Sequence, residues 1–318
     1  MAQTATGRAA TVPATRKRGK WRKYMPLTLM VLPGMLYLLF NNYLPMFGLV
    51  IAFKDVNFAK GILASDWVGF KNFEYLFMTS DAYVITRNTI VYNAAWIVLG
   101  TTLAILLAIL LNEVRRKMFA RFYQSVIVLP HLISIVIVAY LCYAVLSLDT
   151  GFLNKSVLPA LGLEEVMFYF EPKVWPYILT IVHLWKGLGF SVVIYFAAII
   201  GIDEEYYEAA RLDGASKWQQ IRSITIPLIS PVIIMLTLLS IGRIFYSDFG
   251  LFYQVPMNSG AIYETTNVID TYVYRGLLGL GDIGMSAAAG FYQSIVGFAL
   301  VLTANFIVRK ISKDNALF

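Results

Sequence analysis

A run of twenty or so apolar residues constrains a chain severely, because the hydrocarbon core of a bilayer is crossed by a helix of about 20 such residues. This chain has six such runs, at about 26–50, 90–112, 124–147, 174–200, 228–249 and 285–308. Hydrocarbon offers no partner to a free N–H or C=O, so segments of this kind close their hydrogen bonds internally as helices. The expected fold is an all-α integral membrane protein with six transmembrane helices. Composition agrees with that count: 58% of the 318 residues are hydrophobic and 14% charged, against about 45–50% and about 25% in soluble domains. Pro33 and Gly34, then Asn41 and Asn42, interrupt the first run, and Pro130 stands near the start of the third.

The net charge of +7 is informative through its placement. Of the 26 Lys and Arg, 17 lie in 1–25, 113–124, 201–227 and 309–318, whereas 7 lie in 54–89, 148–173 and 250–284. The positive-inside rule therefore places both termini and the 201–227 segment in the cytoplasm. The organisation read from this is a basic cytoplasmic tail, 1–25, followed by a six-span domain, 26–318. The first run is too long for a cleaved signal and no small-residue cleavage site follows it, so it reads as a retained anchor. Basic residues gathered at the ends of apolar runs are a topology signal; the partner they imply is the lipid bilayer and not nucleic acid.

Catalytic and metal chemistry find no foothold. Cys142 is the single cysteine, and His131 and His183 are the only histidines, which excludes an internal disulfide and a thiolate zinc site. The chain contains no GxxxxGK[ST], GxSxG, HExxH or DxDxDG pattern, so neither a P-loop nucleotide site nor a hydrolase triad of those types is written here. The expectation is a non-catalytic chain that holds no cofactor and no metal.

Between the fourth and fifth runs lies a polar island, 201–227. Asp203, Glu204 and Glu205 suit the N-terminus of a short helix, which Gly214 can end with positive φ. Trp218, Ile221 and Ile224, spaced by three, predict a second amphipathic turn, and Pro227 fits the first turn of the fifth span. Ala209 and Ala210 are small enough for another protein to approach the backbone, and Glu208 offers a charge for such a contact. On pattern alone, a solvated helix–turn–helix linker fits equally well.

Glu208, Ala209 and Ala210, then three residues, Gly214, nine residues, Ile224, one residue, Ile226 and Pro227 resemble the EAA loop of binding-protein-dependent ABC importer permeases. Ile226 in place of the usual Leu is the sole departure. The resemblance implies a type I importer permease in the bacterial cytoplasmic (inner) membrane, whose 201–227 loop couples it to two separate ATPase subunits carrying ATP and Mg²⁺. Glu208 would make the polar contact, Ala209 and Ala210 the close approach, and Asp213 and Gly214 the turn, with Ile224 and Pro227 completing the motif. It further implies a second, paralogous permease subunit and an extracytoplasmic solute-binding protein. Trp21 to Tyr24, Ile51 to Asp55, Val268 to Tyr274 and Asp314 to Phe318 resemble the polysaccharide and complex-oligosaccharide branch of the maltose-type permeases, a pattern that permeases for alginate oligosaccharides fit. A carbohydrate substrate is what that likeness implies; the same machine carrying another solute is the alternative.

Charges inside spans sharpen the question, since Lys or Arg at mid-bilayer costs about 2.5–3.5 kcal/mol and therefore faces a cavity or a partner. Lys186, beside Trp185 and three residues after His183, lies midway along the fourth run; Arg243, Tyr246 and Asp248 lie far along the fifth. These six residues are candidates for a substrate pathway, with Lys186 and Arg243 favouring an anionic sugar. The structural alternatives are that Arg243, near the outer end of its span, snorkels or pairs with Asp248, and that Lys186 caps carbonyls of a neighbouring helix. An ion-coupled secondary transporter would need intramembrane carboxylates, and apart from Asp248 the spans are nearly free of them.

Overall fold

The computed structural model describes residues 19–114 and 116–311. Arg16, Lys17 and Arg18 of the basic tail and the Asp314 to Phe318 stretch lie outside the described residues. Residues 1–50 and 51–318 form two compact units. In the first, helix α1 (Gly19–Leu38) passes straight through Pro33 and opens into a π turn at Leu39–Tyr43. Its apolar side chains, Met30 and Phe40 among them, are exposed, as those of a helix facing lipid are.

The second unit begins with a minimal antiparallel pair, β1 (Lys54–Asp55) and β2 (Asp66–Trp67), followed by helix α2 (Lys71–Met78). Helix α3 (Ser80–Asn112) starts ten residues before the apolar run that predicted it. The third run is not one helix: α4 (Lys117–Leu132) and α5 (Ile135–Leu146) meet at a 93° bend. Then come α6 (Trp175–Ile200), the short α7 (Glu204–Leu212) and α8 (Lys217–Ile241). Helices α9 (Phe249–Gln254), α10 (Ile269–Arg275) and α11 (Ile283–Ile311) complete the chain. Among the described residues five helices meet the length and apolarity of a span, or six with the bent pair counted as one.

Two departures from the expected spans have local causes. The fifth span ends as a helix at Ile241, not near 249, and residues 242–248 are unwound. Backbone turns pair the N–H groups of Gly242, Arg243, Ile244 and Tyr246, and side chains take up what the turns leave: Asn93 donates to Ile244 O (2.9 Å), Gln293 to Phe245 O, and Ser247 N–H to the Asp270 carboxylate (2.8 Å). Non-helical backbone at membrane depth persists where protein satisfies it in this way. In addition, the second helix of the polar island is continuous with the fifth span as α8, with a π turn at Ile221–Thr225 two residues before Pro227. The same turn precedes Pro45 and Pro159. Proline lacks an N–H and crowds the preceding turn, and the widened turn takes up both defects without breaking the helix.

The core of the second unit is built on α3 and α6, which pack along their length. One cluster of buried residues, including Tyr92, Trp96, Trp175 and Phe252, lies toward the far ends of these helices. Another, with Ala104, Ala108, Tyr195, Ile199 and Ile229, lies toward the 201–227 loop. Helix α4 meets α6 at Gly189, where an added Cβ would stand 2.2 Å from Ile127 O, so only glycine permits that approach.

Candidate functional site

Between those two clusters, midway along α3 and α6, lies a cavity of about 350 Å³. α3 contributes Asn93, Trp96 and Thr101; α6 contributes His183, Gly187 and Ser191; the end of α8 and the unwound segment beyond it contribute Ser240, Arg243 and Tyr246. The His183 ring stacks on Trp96 with centroids 3.7 Å apart and planes 10° from parallel, and Trp96 Nε1 donates to Thr180 Oγ1 at 3.1 Å. A flat ring pair of this kind offers an apolar face, beside which Ser191, Ser240 and the Tyr246 phenol supply hydrogen-bonding groups. Arg243 is exposed, and among the described residues its guanidinium has neither ion pair nor side-chain hydrogen bond.

Of the six sequence candidates, His183, Arg243 and Tyr246 therefore meet, and the other three do not join them. Lys186 leaves the neighbouring turn of α6 in another direction and donates to His131 O (3.1 Å) and Ile133 O (2.6 Å). It caps the carbonyls that the bend between α4 and α5 strips of their helical partners, and its positive charge sits at the negative end of the α4 dipole. Trp185 lines an apolar groove with Cys142 and Ile181. Asp248 caps α9, accepting from Leu251 N–H at 3.1 Å, and forms no ion pair with Arg243. Sequence reasoning passed over Trp96, Asn93 and Ser191. Asn93 carried the available signal, a carboxamide inside an apolar run.

At the other end of α6 and α8 the 201–227 loop is shaped by its own sequence. Asp203 caps α7, its Oδ1 accepting from Glu205 N–H at 3.1 Å. The helix ends in a Schellman motif: Ala215 N–H reaches Ala210 O (2.8 Å), Gly214 N–H reaches Arg211 O (3.1 Å), and Gly214 has φ +79°. Ser216 and Gln219 then form a capping box that starts α8. Glu208, Ala209 and Asp213 are exposed and Ala210 half-buried, while Ile224 is half-buried against the body and Pro227 is exposed. The predicted amphipathic face does not form as one stripe: Trp218 is 69% exposed, whereas Ile221 and Ile224 are half-buried in the π turn. With Leu212 at 89% and Tyr206 at 58% exposure, the loop presents an apolar outer surface around Glu208.

On the opposite side from the loop, Asp270 of α10 joins the unwound segment to α11 by accepting from Ser247 N–H and from Gln293 Nε2 (3.2 Å). Burial pushes its carboxyl above the usual range, opposed by these hydrogen bonds. Among the described residues no group of three or more His, Cys, Asp or Glu is arranged to hold a metal ion.

A polar cavity midway through a helical membrane body, with an exposed, doubly capped loop joining two of the helices that line it, defines a membrane transport subunit. Residues 100–313 match the family described as binding-protein-dependent transport system inner membrane component, and the chain belongs to that family. It is similar to the polygalacturonan/rhamnogalacturonan transport system permease protein YteP of Bacillus subtilis, with 38% identity covering 91% of this chain and 89% of that one. Protein LplB of the same organism is 34% identical over 97% and 95% of the two chains. Among solved structures, a bacterial ABC transporter involved in the import of the acidic polysaccharide alginate superposes with TM-score 0.84 at 35% identity, covering 92% of this chain and 98% of that chain. A bacterial alginate ABC transporter in complex with an alginate pentasaccharide-bound periplasmic protein gives 0.85 at 34% identity, covering 94% and 99%.

Proposed function

We propose that this chain is the permease subunit of an ATP-driven importer, forming part of the pathway for an oligo- or polysaccharide and driven through its 201–227 loop. The observation that carries the reading is a connection: the loop joins α6 and α8, the two helices that bring His183 and Arg243 to the cavity. Displacing the loop displaces two walls of the cavity, which is what alternating access by rigid-body motion demands. Glu208, Ala209 and Leu212 form the surface on which an ATPase subunit docks. Two such subunits bind ATP and Mg²⁺; this chain hydrolyses nothing and holds neither. A second, paralogous permease closes the pathway, an extracytoplasmic binding protein delivers the sugar, and both termini face the cytoplasm.

The saccharide is anionic. Among the described residues Arg243 is a cation of the cavity lining without an ion-pair partner, and the names of similar proteins speak of polygalacturonan and of acidic alginate. The stacked pair of His183 and Trp96 provides the face for a pyranose ring, and Tyr246 lies beside Arg243 to receive its hydroxyls. The test is co-purification of the membrane complex, followed by ATP-dependent uptake of acidic and neutral oligosaccharides into proteoliposomes. Function of the chain purified alone, or uptake indifferent to ATP, would defeat the reading.

A further inference from the structure

Helix α7 does not rest on the spans beside it. A cleft of about 570 Å³ separates them, walled by Ile109 of α3, Glu113 just past the end of α3, Ile199 of α6 and Thr225 of α8. Dispersion contacts fade within an ångström of gap, so across the cleft packing transmits little. Among the described residues two polar side-chain contacts bridge the region. Tyr207 Oη on α7 lies 2.9 Å from Thr225 Oγ1, and Lys217 Nζ at the start of α8 lies 2.9 Å from Glu113 Oε1 at the end of α3. Thr225 is 4% exposed and belongs to the π turn that Pro227 imposes. The first contact therefore reaches α8 at the point where its helical hydrogen bonding is irregular.

We propose that Tyr207 and Lys217 are positioning residues that carry displacement of α7 into the membrane: Tyr207 through Thr225 to α8, and Lys217 through Glu113 to α3. This rests on the coupling role of the loop and names the route by which that role is performed. Without Tyr207 as a strut, α7 swings into the cleft and the spans stay where they are. The ATPases then turn over while little sugar moves. A residue that merely stabilised the fold would lower transport and hydrolysis together, so the ratio of sugar moved to ATP hydrolysed is the quantity that separates the two roles.

The experiment uses the assembled transporter in proteoliposomes, with uptake of an oligosaccharide and phosphate release measured on the same preparation. Tyr207→Phe and Thr225→Val are expected to lower sugar moved per ATP by about 3- to 10-fold, the factor that one net hydrogen bond supplies, with hydrolysis retained. Lys217→Glu and Glu113→Lys are each expected to lower the ratio, and the double reversal to restore it. An unchanged ratio in Tyr207→Phe overturns the Tyr207 strut, and a double reversal as defective as the single ones overturns the Lys217 strut. Failure of the coupling role itself shows separately, as normal uptake and hydrolysis in Glu208→Arg.

Discussion

The loop and the cavity lie at different points along α6 and α8, yet they are encoded in different ways. The loop is local. Asp203, Gly214, Ser216 and Gln219 each fix the backbone within three or four residues of themselves, so one stretch of sequence contains both the shape and the surface. The cavity is assembled from three helices, and its residues run from Asn93 to Tyr246. Damage to the loop should therefore act on every substrate alike, by cutting the energy supply. Damage to the cavity should act on some substrates more than others.

The largest effect expected is at the loop. Glu208→Arg reverses the charge at the centre of the proposed docking surface, and a like-charge contact at an interface costs several kcal/mol. Uptake should fall on the order of 100-fold for acidic and neutral sugars equally, with membrane insertion unchanged. Gly214→Val meets no neighbour within 4 Å but holds φ +79°, so its cost is purely conformational, about 1–2 kcal/mol for a residue forced left-handed. Uptake close to normal in both variants would break the contrast at its strong end.

Arg243→Met is the matching test of the cavity. A hydrogen bond to a charged group contributes about 1.5–3 kcal/mol, so half-saturation for an acidic oligosaccharide should rise about 10- to 100-fold, while a neutral one is carried nearly as before. Equal losses for both sugars would make Arg243 structural and leave the cavity without a charge filter.

Much of this was legible in the sequence, and the illegible parts share a cause. Apolar runs gave the membrane helices, because apolarity is a sum over many residues. The loop's turn could be read at Gly214, because a helix stop with positive φ has a residue that suits it. The break at Ile133 and Ser134 and the unwinding past Ile241 left no such mark. Each depends on a partner far away in the chain, Lys186 for the first and Asn93, Gln293 and Asp270 for the second. Lys186 and Arg243 looked alike as intramembrane cations. What separates them is that two carbonyls of α4 and the bend accept from Lys186, while no described side chain or carbonyl pairs with the Arg243 guanidinium.

That difference gives a third, smaller effect. Lys186→Met removes the donor to His131 O, which is exposed, and to Ile133 O, which is half-buried, and each net hydrogen bond contributes about 0.5–1.5 kcal/mol. The assembled complex should melt several degrees earlier, and residual uptake should show the same preference between acidic and neutral sugar as the parent chain. Lys186→Arg, which keeps a charge and donors there, should recover most of the loss. A changed preference in Lys186→Met would return this lysine to the pathway and blur the division drawn between the two cations.

The smallest effect expected concerns Asp270, which fastens the unwound end of the fifth span to α10 and α11. Its folded-state pKa is raised, chiefly by burial. Between the ordinary aspartate value and that raised value the folded chain holds a proton that the unfolded chain has released. Stability therefore falls as pH rises through this window, and this group's contribution is greatest below it. Asp270→Asn keeps an oxygen to accept from Ser247 N–H and Gln293 Nε2 but cannot titrate. Thermal unfolding of the detergent-solubilised complex, followed from pH 4 upward, should show the parent losing ground to the Asn variant as pH rises. Parallel curves would mean that the hydrogen bonds from Ser247 and Gln293 fully offset burial. The unwound segment would then be held by a fixed charge.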